Sequence, residues 1–178
     1  MVPAALAGTQ PERGALLVAT ERTHDTGFAE TVILVLQHDQ TRSVGLVVNR
    51  TLGEAVATLF PELKGTPAGA DPLWAGGPVA LGVNALVRSR AVPPGTSPIL
   101  PGVFLLSDKQ SILAFDRRHE RTAGFRVYVG LSSWGPRQLE DEIARGLWKT
   151  VNGSAALIFD PRPETLWERL TKKAPQSR

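Results

Sequence analysis

The chain of 178 residues contains no cysteine. Disulfides, thiolate metal sites and a cysteine nucleophile are therefore excluded, and the absence fits a reducing compartment. No apolar run exceeds five residues, as at residues 32–36, whereas a membrane-spanning helix needs roughly 20. A charged start followed by an apolar stretch is also missing from residues 1–14. We therefore expect a cytoplasmic protein without a secretory signal or a membrane partner.

Neither sign of charge dominates the sequence. Lysine and arginine number 20 against 17 acidic residues, which gives a net charge of +3. The two signs are interleaved, although basic residues gather at 117–121 and 172–178. Nucleic-acid-binding proteins usually carry a concentrated basic patch, so we interpret these residues as solvated surface. Binding of nucleic acid through residues 117–126 stays open as a rival interpretation.

Short apolar runs predict the strands. A first strand at residues 15–19 is followed by runs at 31–37 and 44–49, which flank a polar turn and predict a hairpin. Further strands are predicted at residues 83–88, 103–106, 125–129 and 155–159. Helical spacing predicts one short helix at residues 53–60 and others that open at Ser107, Pro136 and Asp160.

The order of these elements predicts the fold class and the domain limits. Strands come first and are then mixed with short helices, without the regular alternation of a doubly wound sheet, so we predict an α+β fold. The length fits one domain. We assign a single domain to residues 14–170, a loose leader to residues 1–13 and a basic tail to residues 171–178.

No catalytic set is evident in the sequence. Ser132 and Ser133 stand between a predicted strand and a predicted helix, but the glycines around them lack the G-x-S-x-G spacing of a hydrolase nucleophile. The main interpretation is a turn that caps the next helix, and no catalytic residue is assigned. A small hydrolase or transferase that uses one of these serines with His24, His38 or His119 is the alternative.

The histidines do not predict a metal site. His24 and His38 are each followed by an aspartate, and neighbouring side chains of a strand point to opposite faces. No cysteine and no pair of histidines at helical spacing is available, so we predict no bound metal. The sequence has no phosphate-binding loop either, and no cofactor is assigned.

Three blocks place polar residues or glycines at the ends of apolar elements. They are Asn49-Arg50 after a strand, Gly76-Gly77 before a proline, and Trp134-Gly135 before a helix. The free amides at the start of a helix attract anions. We expect the three blocks to converge on one ligand-binding pocket made by Asn49, Arg50, Gly76, Gly77, Trp134 and Gly135. Each block also has a competing interpretation. In the same order, these are a strand end in solvent, a tight turn, and a core tryptophan packed on Trp148.

Taken in order, these blocks and others resemble the YqgE/AlgH family of bacterial proteins over about residues 14–170. The matching segments are Gly14 to Thr20, Phe28, Val32 to Leu34, His38, Gly45 to Arg50, Gly76 to Val79, Trp134 to Pro136, Gln138 to Glu140, Glu142, Ile143, Trp148 and Phe159. The chain departs from the family pattern at Thr51, where a proline is common, at Arg137, where a glycine is usual, and at residues 131–133.

The resemblance implies a cytosolic protein with a curled, largely antiparallel, barrel-like sheet and several short helices. It implies no settled activity, although the AlgH name carries a proposed role in transcriptional regulation of alginate production. No helix-turn-helix signature supports direct DNA binding. We therefore predict a non-catalytic binding or regulatory protein, with a small anionic ligand or a protein partner.

Overall fold

The computed structural model describes residues 10–24, 26–117 and 124–172. Within them the strands are β1 Ala15–Ala19, β2 Val32–His38, β3 Ser43–Val47, β4 Thr51–Ala55, β5 Pro72–Ala75, β6 Val79–Arg88, β7 Ser97–Leu100, β8 Val103–Leu106, β9 Phe125–Trp134 and β10 Trp148–Asn152. The helices are α1 Val56–Leu59, α2 Pro67–Ala70, α3 Lys109–Arg117, α4 Gln138–Ala144, α5 Ala155–Ile158 and α6 Leu166–Lys172. Short 3-10 turns occur at Glu21–Thr23, Pro61–Leu63 and Pro163–Thr165. The predicted α+β class is confirmed.

The strands form one curled sheet in the order β10-β1-β2-β3-β9-β6-β8-β7. These neighbours pair antiparallel, while β5 pairs with β4 and, in parallel, with β9. The curl brings the two ends of the order together. A Cβ added to Gly14, just before β1, would lie 3.2 Å from Leu100 Cβ in β7, and one on Gly153, just after β10, would lie 3.1 Å from Leu100 Cδ2. The predicted barrel-like sheet is confirmed.

Both faces of the central strands are buried. Leu16 of β1 packs with Tyr128 of β9 in the cluster inside the curl, whereas the next residue, Leu17, packs in a cluster outside it. Helix α4 covers that outer cluster with Leu139, and α3 covers a second one with Phe115. Burial on both faces explains why these strands are continuous apolar runs rather than alternating ones.

β9 is longer than predicted because it pairs with different neighbours along its length. Its first part, up to Leu131, pairs with β6, and its end pairs with β3. The predicted turn at Ser132 and Ser133 is therefore wrong, since both residues lie in the strand before Trp134. The helix that follows begins at Gln138, two residues later than predicted.

Residues 155–159 do not form the predicted strand. Ala155–Ile158 is α5, and the hydroxyl of Ser154 caps it by accepting from the amide of Leu157 at 3.3 Å. Apolar runs of this length fit either structure, so the cap decides between them. The edge of the sheet is formed instead by β10, which the sequence did not predict and which pairs with β1.

The remaining differences concern short elements. The helix predicted at residues 53–60 is reduced to α1, because the residues before it pair as β4 with β5. The irregular region at residues 64–72 includes α2, and β7 was also not predicted. Helix α3 is capped by Asp108 rather than by Ser107, since the Asp108 carboxylate accepts from the amide of Ser111 at 2.8 Å.

Parts of the predicted domain map lie beyond the described residues. The leader at 1–13 is described only from residue 10, the tail at 171–178 only up to residue 172, and the basic residues 118–121 fall in the gap before Gly124. The domain limits therefore stay predictions. In the described part of the chain, no helix combines the length and apolar character needed to cross a membrane.

Candidate functional site

Asn49 and Arg50 hold the segment of residues 26–31, called here the 26–31 loop. The Asn49 side chain accepts from the Val32 amide at 2.8 Å and donates to the Glu30 carbonyl at 2.9 Å. Arg50 donates from Nη1 to the Gly27 carbonyl at 2.7 Å and from Nη2 to the Ala29 carbonyl. Asn49 is buried and Arg50 is exposed. This dipeptide therefore holds a loop in place. Neither the pocket interpretation nor the strand-end interpretation of the sequence included that role.

The Gly76-Gly77 bend packs against the main chain of β9. The Gly76 amide donates to the Val129 carbonyl at 2.8 Å, and the Gly76 carbonyl accepts from the Val47 amide at 2.9 Å. A Cβ on Gly76 would lie 2.3 Å from the Gly130 oxygen, and one on Gly77 would lie 2.3 Å from the Leu131 carbonyl carbon. Both positions therefore need glycine because the two backbones touch.

Arg50 and Gly77 lie on the same cleft, which has a volume of about 240 Å³. The described residues that line this Arg50 cleft are Gly27, Phe28, Val47, Arg50, Ala75, Gly77 and Pro78. Its side-chain walls are apolar apart from the guanidinium. Among the described residues, no carboxylate forms an ion pair with Arg50. The cleft therefore combines apolar walls with one positive charge that no described carboxylate pairs with.

Trp134 lies behind the cleft, in an aromatic cluster. The ring of Phe28, which lines the cleft, is stacked on Trp134 with centroids 6.2 Å apart and meets Trp148 edge-on at 5.6 Å. The two indoles are themselves edge-on at 6.0 Å. Both donate to the same carboxylate oxygen of Glu142, Trp134 at 2.9 Å and Trp148 at 2.8 Å. Trp134 is therefore a core residue that supports one wall of the cleft.

Gly135 does not reach the cleft lining. Its amide donates to the Gln138 side chain at 3.0 Å, and Gln138 also donates to Glu142 at 3.0 Å. The amides of Gly135 and Gln138 thus both find acceptors within the protein. Of the six predicted residues, Arg50 and Gly77 line one cleft, Asn49 and Gly76 build its frame, Trp134 stands behind Phe28, and Gly135 belongs to the helix start.

Replacing Glu142 by leucine is expected to lower the free energy of unfolding by about 2–4 kcal/mol, because two buried indole N–H groups lose their acceptor. Glu142→Gln keeps one carbonyl oxygen and should lose less. Chemical denaturation followed by tryptophan fluorescence measures both variants. Asp141→Leu, an exposed carboxylate on the same helix, is the control, and equal losses in Glu142→Leu and Asp141→Leu would contradict the role given to Glu142.

The serine alternative gains no support from the described residues. Ser132 is fully buried and its hydroxyl donates weakly to the Gly76 carbonyl at 3.4 Å, while Ser133 is exposed. The Nδ1 atom of His38 forms a hydrogen bond with the Ser43 hydroxyl at 2.8 Å, and its Nε2 atom lies 3.7 Å from a carboxylate oxygen of Glu140. The ring of His24 contacts the Glu21 carbonyl, and His119 falls outside the described residues.

Arg126 is a partly buried residue that sequence reasoning did not single out. Its guanidinium lies 3.9 Å from the centroid of the Trp74 ring and donates to the carbonyls of Ile158 and Asp160. Burial lowers the pKa of Arg126, against the opposing effect of Tyr128 and Asp160. Burial also raises the pKa of Tyr128 to about 12. The Arg126 guanidinium is therefore engaged by groups of the protein itself, and nucleic-acid binding through residues 117–126 stays a prediction.

The fold defines the class of protein: a curled, largely antiparallel sheet covered by short helices. The chain belongs to the AlgH-like family, whose model matches residues 16–177. It is 32% identical to a UPF0301 protein of Streptomyces avermitilis, over 90% of this chain and 85% of that one. It is 31% identical to a UPF0301 protein of Methylococcus capsulatus, over 90% of each chain. The family resemblance predicted from the sequence is confirmed.

Two solved structures share the fold. The solution structure of the AlgH protein from Pseudomonas aeruginosa matches with a TM-score of 0.71 at 25% identity, over 97% of this chain and 90% of that one. A crystal structure of a protein from Corynebacterium diphtheriae matches with a TM-score of 0.78 at 23% identity, over 94% and 89% of the two chains. None of these names states a biochemical activity.

Proposed function

We propose that this chain is a non-catalytic binding protein that holds a small anionic ligand in the Arg50 cleft. The observation that carries the proposal is that Arg50 and Gly77, which are distant in the sequence, line one cleft with an otherwise apolar lining. Apolar walls with few polar groups are the usual form of a small-molecule site. Since the guanidinium has no described carboxylate partner, it is free to attract an anion.

The proposal includes a regulatory output in the cytoplasm through the 26–31 loop. This loop forms one wall of the cleft through Gly27 and Phe28, and its carbonyls accept the Arg50 bonds. An anion that binds Arg50 therefore acts on the groups that hold the loop, and an altered loop surface can be recognised by a protein partner. A role in transcriptional regulation would accordingly use a protein contact.

The test is an NMR titration of the full-length ¹⁵N-labelled protein with a panel of small carboxylates, phosphate esters and sulfonates at constant ionic strength. At least one compound is expected to cause saturable shifts confined to the amides of Phe28, Arg50, Gly77 and their neighbours. The control variant is Arg22→Gln, which should leave these shifts unchanged. Arg22 matches Arg50 because it is also exposed and also donates to a main-chain carbonyl, that of Arg145. Saturable shifts that map elsewhere, or none with any compound, would refute the proposal.

A further inference from the structure

We infer that the ligand of the Arg50 cleft is a monocarboxylate with a compact apolar or aromatic body. This inference rests on the proposed function and narrows its ligand class from anions in general to one chemical group. It depends on three properties of the cleft: its single charge, the number of hydrogen-bond donors left on Arg50, and its size and lining.

The charge of the cleft matches a monoanion. Among the described residues that line it, Arg50 is the only one with a charged side chain. A carboxylate carries one negative charge, whereas a phosphate ester carries about −1.5 to −2 near neutral pH. The excess charge of a phosphate would face apolar side chains, where an unpaired charge is strongly unfavourable. A carboxylate leaves no such excess.

The remaining donors of Arg50 fit the same group. A guanidinium has five N–H donors, and the carbonyls of Gly27 and Ala29 each accept a bond from one of its two terminal nitrogens. Three donors remain, which is enough for the paired, parallel bonds that arginine makes to a carboxylate. Because the two carbonyls already orient the guanidinium, little conformational freedom is lost when the ligand binds.

The size and lining of the cleft restrict the body of the ligand. Its volume of about 240 Å³ is below the roughly 300–1,000 Å³ of sites for drug-sized ligands. The walls offer the Phe28 ring and the side chains of Val47, Ala75 and Pro78. Phe28 is held in place by its stacking on Trp134, so a second ring or a short branched chain can pack against it.

The experiment compares benzoate, its neutral isostere benzamide, and phenyl phosphate by NMR titration of the full-length protein at constant ionic strength. Benzoate is expected to bind at least about tenfold more tightly than benzamide, a difference of about 1.4 kcal/mol, and more tightly than phenyl phosphate. Equal affinities for benzoate and benzamide, or tighter binding of phenyl phosphate, would overturn the carboxylate assignment and leave the binding function standing. If neither these three compounds nor the wider panel shift the cleft amides, both proposals fail.

Two variants separate the ligand contact from a structural effect. Arg50→Gln is expected to abolish the preference for benzoate over benzamide, while the Phe28–Trp134 contact, followed by nuclear Overhauser effects, persists. Ala75→Val adds two methyl groups to the cleft lining and leaves Arg50 intact, so it should weaken benzoate and benzamide by similar factors. If Arg50→Gln disturbs the loop, Ala75→Val alone tests whether the compounds bind in the cleft. Unchanged affinities in Ala75→Val would show that these compounds bind elsewhere.

Discussion

Replacing Arg126 by methionine is expected to lower the free energy of unfolding by at least about 3 kcal/mol. The guanidinium donates to the carbonyls of Ile158 and Asp160 and lies over the Trp74 ring. Without it two partly buried carbonyls lose a charged donor, and each unsatisfied group of this kind typically contributes about 1–3 kcal/mol. The lost contact with the indole adds to that amount.

Urea denaturation followed by circular dichroism measures this effect, with an unchanged dependence on denaturant as the sign of an intact fold. Arg22→Met is the matched control, because Arg22 donates to the Arg145 carbonyl from an exposed position. Its change should stay within about 0.5 kcal/mol. Arg126→Lys should fall between the two, since an ammonium group lacks the planar fork that reaches two carbonyls. A loss below about 1 kcal/mol in Arg126→Met would contradict the core role.

Gly76→Ala is expected to destabilise the protein by about 3 kcal/mol or more, or to prevent folding altogether. The added Cβ would lie 2.3 Å from the Gly130 oxygen and 2.7 Å from Leu46 Cδ2. The first of these atoms belongs to the backbone of β9, which pairs on both sides and cannot move away from the clash. The same contact keeps the cleft frame in place, so ligand binding should be lost together with stability.

Gly53→Ala provides the control for this substitution. A Cβ on Gly53 has no heavy atom within 4 Å, and its backbone does not lie in the left-handed region. The change should therefore be small, and restriction of the unfolded chain can stabilise the protein by about 0.4–1 kcal/mol. Thermal and urea denaturation of the two alanine variants side by side measure the contrast. Similar stabilities for both would refute the close backbone contact at Gly76.

Local sequence pattern predicted those elements whose neighbours along the chain decide their conformation. The run at residues 15–19 is β1 as predicted, and the hairpin of β2 and β3 follows from two apolar runs around a polar turn. The pattern failed where a short run fits two structures, as at residues 155–158. It also failed at β10, whose five residues are a strand because β1 pairs with them.

The lining of the cleft was predicted in part. Arg50 and Gly77 do line a common cleft, but Phe28, which joins that cleft to Trp134, entered only through the family resemblance. Glu142 likewise entered only through the family resemblance, whereas its carboxylate accepts from two indoles that meet in the folded core. No spacing in the sequence indicates a partner of that kind, because the two tryptophans come together through the packing of strands and helix.

The amino-acid sequence alone determined the fold class, the central strands and membership of the AlgH-like family, because each depends on patterns that short segments carry by themselves. Tertiary structure alone decided what the arginines do. Arg50 faces a cleft, and Arg126 is enclosed by the curled sheet beside Trp74. Their chemistry in the sequence is identical, and only the partners brought close by folding distinguish an exposed guanidinium that lines a cleft from a partly buried one that holds main-chain carbonyls.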